Sequence, residues 1–95
     1  MIVITTFRLR PETDEEAFLA LDTRMQTELA YHEAGLVRRT TARSAGGRWL
    51  VIEIWRSEED ADASASDRAD SSLHGEYRSL IDGQALQSDR FTTFD

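Results

Sequence analysis

The chain has 95 residues, enough for one domain (residues 1–95) with a core near the lower end of comfortable size. It carries 18 acidic and 11 basic residues for a net charge of −7, with the basic residues scattered, so a nucleic-acid footprint is absent. There is no cysteine, which removes disulfides, thiolate catalysis and zinc–sulfur sites, and no lysine, which removes Schiff-base chemistry.

Taken in chain order, residues 2–9 (IVITTFRL) are β-branched and aromatic and predict a first strand that Pro11 ends. The opening residues lack the basic start and long apolar stretch of a signal peptide, and no apolar run approaches the roughly 18 residues of a membrane span. The expected setting is the cytoplasm, with no membrane partner. Thr13-Asp14-Glu15-Glu16 reads as a capping box. Phe18, Leu21, Met25 and Leu29 follow at helical spacing, giving a first helix of about five turns with Gly35 as its C-cap.

Residues 36–43 predict a second strand, rich in Arg and Thr, and Gly46-Gly47 a hairpin turn into a third strand at residues 49–55. Ser57 caps a second helix with Glu58, Glu59 and Asp60 in its first turn. The stripe of that helix is Ala61, Ala65, Ala69, Leu73 and Tyr77, small residues that predict close approach to the sheet, with an interruption at Gly75. Asp82-Gly83 marks a break, and residues 90–94 supply a last strand. The order β-α-β-β-α-β is ferredoxin-like, an α+β fold with the helices on one face of an antiparallel sheet.

The third strand, Trp49-Leu50-Val51-Ile52-Glu53-Ile54-Trp55, has two unlike faces when read with period two. Leu50, Ile52 and Ile54 make an aliphatic surface suited to helices. Trp49, Val51, Glu53 and Trp55 make the other, and an indole left in water exposes about 150–250 Å². Two helices cover one face, so the tryptophan face is expected to meet a second copy of the chain in a homodimer.

Three segments resemble the antibiotic biosynthesis monooxygenase family of dimeric α+β barrels: Ala34-Gly35-Leu36-Val37, the strand end Glu53-Ile54-Trp55, and Arg56-Ser57-Glu58-Glu59-Asp60-Ala61. The resemblance implies a bacterial-type small homodimer with a ligand cavity between sheet and helices in each protomer. Some relatives oxygenate aromatic polyketides with no cofactor and others degrade haem, and the fold also hosts isomerases, cyclases and non-catalytic proteins. The haem-degrading pattern needs an Asn on strand one, a Trp in helix two and a His near that helix's end. Here Thr5 and Thr6, Ala63-Ser64-Ala65 and His74 stand in those places. Haem degradation is therefore not expected, and no cofactor is. The cofactor-free oxygenases also use an Asn, which this chain lacks altogether.

The candidate chemistry rests on a few side chains. Glu53 between indoles is a candidate general base if desolvated, or the partner of Arg38 or Arg39 across the hairpin, depending on register. His74 is the candidate base toward a phenolic substrate, with Tyr77 or Arg78 holding the developing anion; a lone His with no visible orienting carboxylate is more often structural, here stabilised by a helix C-terminus. Trp55, Arg38, Arg39 and Thr5 are the candidate substrate contacts. His32, Glu33, Glu28 and Asp22 lack the spacing of a metal site. The reading that results is a cofactor-independent monooxygenase acting on a small aromatic of phenol, quinol or polyketide type, with His74, Tyr77 and Glu53 as catalytic candidates. The alternative is a non-catalytic dimeric module that binds a small ligand or serves assembly.

Overall fold

The computed structural model describes residues 1–94. Strands β1 (Ile2–Leu9), β2 (Leu36–Arg43), β3 (Trp49–Trp55) and β4 (Ile81–Phe91) form one antiparallel sheet in the order β2-β3-β1-β4. Helices α1 (Glu15–Arg24), α2 (Glu58–Ala69) and α3 (Ser72–Ser79) complete a ferredoxin-like α+β fold. Among the described residues no helix is long and apolar enough to cross a membrane.

The first three strands have the bounds the β-branched and aromatic runs predict. Two other elements differ. The first helix is α-helical only to Arg24, widens into a π turn over Met25–Leu29 and tightens into a 3-10 turn over Ala30–His32. The wide turn keeps Met25 in the core, 2% exposed. The capping box does not form: Asp14 holds the cap position without a side-chain bond, and the Thr13 hydroxyl donates to the Leu80 carbonyl instead (3.2 Å).

The second helical segment divides at Asp70–Ser71, not at Gly75, because Ser71 caps a new helix by accepting from the His74 amide (3.2 Å). The last strand begins at Ile81 and runs through Asp82-Gly83, nine residues ahead of the expected start at Arg90.

Gly35 does have the left-handed backbone of a helix-ending residue, with φ +82°. A Cβ there would lie 2.2 Å from Asp60 Oδ2, so the first turn of α2 is locked against the entry to β2. Ser57 caps α2 as its position predicts, accepting from the Asp60 amide (3.1 Å).

The two faces of β3 are as distinct as expected, but their roles are exchanged. Trp49, Val51, Glu53 and Trp55 are all buried beneath the helices, whereas Leu50, Ile52 and Ile54 are only partly covered. In the sheet register Ile2, Ile4 and Thr6 stand opposite Ile54, Ile52 and Leu50, so the aliphatic residues of two central strands form one open surface. The correction has a physical cause. Helix α1 supplies Phe18, which packs on Trp49, α3 supplies Tyr77, which packs on Phe18 and Phe7, and α2 supplies a cation for Glu53. A period-two pattern separates two faces but does not say which one is covered.

Candidate functional site

The covered face has a closed half and an open half. At the Trp49 end, Phe7, Phe18, Met25, Trp49, Val51, Tyr77 and Ile81 form the core. Phe18 meets Trp49 edge-on at 4.8 Å between ring centroids, and Phe7 stacks on Trp49 at 6.5 Å. At the Trp55 end, α2 presents Ala61, Ser64 and Ala65 to the sheet. These small side chains do not bring the helix down onto the strands. They leave a cavity of about 440 Å³, bounded by Trp55 and Glu53 of β3, Val3 and Thr5 of β1, and Arg68, His74 and Arg78 of the helical layer.

A second, smaller space of about 150 Å³ lies toward the core and shares Thr5, Glu53, Arg68, His74, Arg78 and Ser88 with the first. Its remaining walls are Phe7, Met25, Val51, Tyr77, Ile81, Leu86 and the Arg39 side chain. The two are an outer and an inner lobe, with His74 on the boundary.

Two buried arginine networks flank these lobes. Arg39 stands directly opposite Glu53 in the β2–β3 register. Its guanidinium, however, turns to α1, donating to Asp22 (2.8 Å), Gln26 (3.0 Å), Thr41 (3.3 Å) and the Tyr77 hydroxyl (3.4 Å). Tyr77 donates in turn to Asp22 (3.1 Å). Burial, followed by the Asp22 charge, pushes the Tyr77 phenol well above its ordinary value of 10.

Glu53 is paired with Arg68 of α2 (2.7 Å), which also donates to Glu33 through Nε (3.0 Å) and Nη2 (2.6 Å). The Arg68 guanidinium lies 5.9 Å from the Trp55 ring centroid. The ion pair expected for Glu53 thus exists, with a cation from the helix and neither Arg38 nor Arg39 as partner. Burial raises the Glu33 carboxyl, against the lowering effect of Arg68.

His74 does not end a helix. The break at Ser71 places it in the first turn of α3, where the positive helix end opposes protonation. Burial first, then the charges of Arg68 and Arg78, holds its imidazole below the ordinary 6.5, so it is neutral at pH 7.

Among the described residues, three buried side-chain atoms have no hydrogen-bond partner: Trp55 Nε1, Ser64 Oγ and Glu33 Oε2. The first two belong to walls of the outer lobe. Buried donors and acceptors are ordinarily paired, and these three atoms are closed off from the cavity space as well as from solvent.

The structure therefore brings together Glu53, His74, Trp55 and Thr5 around the outer lobe, and places Tyr77 and Arg39 on the inner one. It does not bring Arg38 there. Arg38 stands opposite Ile54 on the open face of the sheet and bonds Thr40. The residues considered for a metal are dispersed into ion pairs: Asp22 with Arg39, Glu28 with Arg24, Glu33 with Arg68. No metal-binding group of three or more His, Cys, Asp or Glu occurs among the described residues. Arg68 and Ser64 escaped the sequence reading. Their signal was present, since both lie on the Ala61 stripe of α2 at helical spacing, a single long cation among small residues.

The molecule is thus an α+β protein whose ferredoxin-like sheet carries a half-open cavity under its second helix. The sequence profile described as antibiotic biosynthesis monooxygenase matches residues 1–69, and the chain belongs to that family. Among solved structures it is similar to SnoaB, a cofactor-independent oxygenase from Streptomyces nogalater, with TM-score 0.82 and 14% identity over 99% of this chain and 92% of that one. It is also similar to Rv0793 from Mycobacterium tuberculosis, with TM-score 0.73 and 25% identity over 99% and 94% of the two chains. No curated protein matches the sequence.

Proposed function

We propose that the protein is a cofactor-free monooxygenase for a small aromatic molecule with an acidic C–H or O–H, such as an anthrone or quinol. The observation that carries this reading is His74: a neutral imidazole on a cavity of about 440 Å³, with cationic Arg68 and Arg78 among the walls. Family membership and the SnoaB-like fold support it.

In this mechanism the substrate ring lies in the outer lobe against Trp55, and His74 accepts the proton from the activated carbon or phenol. The guanidinium charge of Arg78 stabilises the resulting anion. The carbanion forms a C–O bond with dioxygen, and the peroxide takes up the proton held by His74. Loss of the second C–H proton with cleavage of the O–O bond leaves a carbonyl and one water. The CH2 group becomes C=O while O2 is reduced to one carbonyl oxygen and one H2O, so atoms and electrons balance without a metal or flavin. Glu53 takes no proton in this scheme. Its carboxylate fixes Arg68 at the cavity wall.

Oxygen uptake with anthrone- or quinol-type substrates tests the proposal. His74→Ala should lower kcat about 100-fold or more. Equal rates in variant and wild type would remove His74 from the mechanism.

The same reading includes a homodimer formed through the aliphatic face of Ile2, Ile4, Leu50, Ile52 and Ile54, in place of the tryptophan face. Five partly uncovered aliphatic side chains in two adjacent strands form a patch of the kind that marks an interface. Light scattering should give about twice the chain mass, and Ile52→Asp should give a folded monomer. A wild-type monomer at micromolar concentration would overturn this part.

A further inference from the structure

The charge on the cavity walls runs opposite to that of the chain. Of 18 acidic and 11 basic residues, the walls of the outer lobe take one acidic residue, Glu53, and three arginines, Arg68, Arg78 and Arg90. The three arginines are not equivalent. Arg68 is held by Glu33 and Glu53, and Arg90 by Glu58 and Asp62. Arg78 makes no ion pair among the described residues. It stands with His74 in the walls of both lobes, and its charge helps to keep that imidazole neutral.

A guanidinium without a partner is a planar fork that matches the two oxygens of a carboxylate. Its position decides whether such a pair is favourable. Arg78 is exposed, so it meets a ligand at the solvent side of the cavity. An anion there keeps part of its hydration and avoids the desolvation penalty of a buried pair. Trp55 and Ala61 are buried and, with Val3, supply apolar wall on the inner side. A second negative charge, as on a phosphate monoester, finds no second free cation, because Arg68 and Arg90 already have carboxylate partners.

We propose that the cavity takes an aromatic monocarboxylate, with its carboxylate on Arg78 at the mouth and its ring directed inward toward Trp55. The proposal concerns binding and goes beyond the oxygenase reading, since it holds equally for a non-catalytic ligand carrier. Joined to that reading, it narrows the substrate to one that is charged before any proton is removed. A guanidinium carries five N–H donors, so a two-pronged contact with the carboxylate leaves others for an anion forming on the ring.

Binding of 2-naphthoate and of its neutral isostere 2-naphthamide to the full-length protein, followed by NMR titration of the backbone amides at pH 7.5, tests the proposal. The carboxylate should bind about three- to ten-fold more tightly than the amide, a range set by the solvent exposure of Arg78. Its largest shifts should fall on Val3, Thr5, Ala65 and Ser88 of the cavity walls. Arg78→Gln should abolish the preference and leave amide binding within two-fold, with a thermal melt confirming that the variant folds. Arg24→Gln, on α1 outside both lobes, changes the net charge equally and should keep the preference.

Equal affinity of the wild type for the two probes would overturn the proposal, as would a preference that survives Arg78→Gln. Absence of saturable binding of 2-naphthoate at millimolar concentration, or shifts centred away from the cavity, would overturn it as well. None of these measurements involves oxygen uptake. Their failure would leave the oxygenase reading standing, and an absence of turnover would leave the carboxylate site standing.

Discussion

Trp49 and Trp55 begin and end the same strand, point to the same face and are equally buried, at 4% and 3% exposure, yet their surroundings have little in common. Beneath the helices Trp49 interlocks with Phe7 and Phe18, and Tyr77 extends that aromatic cluster to the buried Arg39, whose guanidinium is held by Asp22 and Gln26. Around Trp55 the packing is unfinished. Trp55 Nε1 and Ser64 Oγ are buried there without partners, the cavity is there, and Arg68 divides its bonds between two carboxylates. One half of the sheet is packed as core and the other keeps a cavity. The difference arises from the helices. Where α1 and α3 offer Phe18 and Tyr77 the gap closes, and where α2 offers Ala61, Ser64 and Ala65 it remains.

The sharpest way to break this contrast is to damage the closed half. Arg39→Met removes the guanidinium, 3% exposed in its side chain, and leaves the Asp22 carboxylate with only the Tyr77 hydroxyl. Removing one member of a buried ion pair typically costs about 3–5 kcal/mol. In a chain of this size each kcal/mol is worth roughly 4–8 °C in Tm. Thermal unfolding of the variant should therefore fall by tens of degrees. A loss of only a degree or two would mean that the Arg39 network is not the structural anchor of this half.

An intermediate effect, of opposite sign, is expected on the open side. The Glu33 carboxyl is raised, foremost by burial, so the folded state resists its ionisation. A carboxyl whose folded pKa lies above its unfolded one contributes stability at low pH and loses it as pH rises through the folded value. Glu33→Gln keeps an oxygen for Arg68 and discards the charge. Its Tm at pH 7 should match or exceed that of the wild type, with the difference vanishing toward pH 4. A marked loss at pH 7 would show that the second carboxylate is needed to hold Arg68, and that the Trp55 half is less open than it looks.

The same contrast explains how much of the molecule was legible in its sequence. The strands β1, β2 and β3, the Ser57 cap and the ferredoxin-like order follow from local pattern, because β-branched runs and cap residues act within a few positions. The family-like segments around Gly35, Glu53-Ile54-Trp55 and Ser57 all fall near the α2 entry, where φ +82° at Gly35 and its close approach to Asp60 leave little freedom. What could not be read was the choice of face. Leu50, Ile52 and Ile54 look like the better core by hydrophobicity alone. Their burial was decided by partners distant in sequence, among them Arg68, which neutralises Glu53 from fifteen positions away. The hairpin register was undecidable for the same reason, so Arg38 and Arg39 could not be told apart until the pairing placed one on each side. His74 was found by residue type, but its environment depended on a helix break that Ser71 made and Gly75 did not.

The smallest expected effect is the most specific to the open half. Burial and then Arg68 and Arg78 hold His74 below 6.5, so in the wild type the acid limb of kcat/KM should lie below that value. Arg78→Ala takes away one repelling charge and leaves the burial and Arg68 in place. The limb should move toward 6.5, while the melting temperature, measured at pH 7.5, stays close to wild type because Arg78 is exposed. NMR titration of the His74 ring proton reads the same shift without turnover, and a His32→Gln background identifies the signal. Stability carries a second record of the same group. A histidine whose folded pKa is depressed stabilises the protein while neutral, above its unfolded pKa, and that contribution is lost as pH falls from about 6.5 toward the folded value. His74→Gln should therefore flatten the acid-side decline in Tm over that interval. A His74 that titrates at 6.5 or above in the wild type would place the imidazole in water, and the open half of the sheet would lose the neutral base on which its proposed chemistry depends.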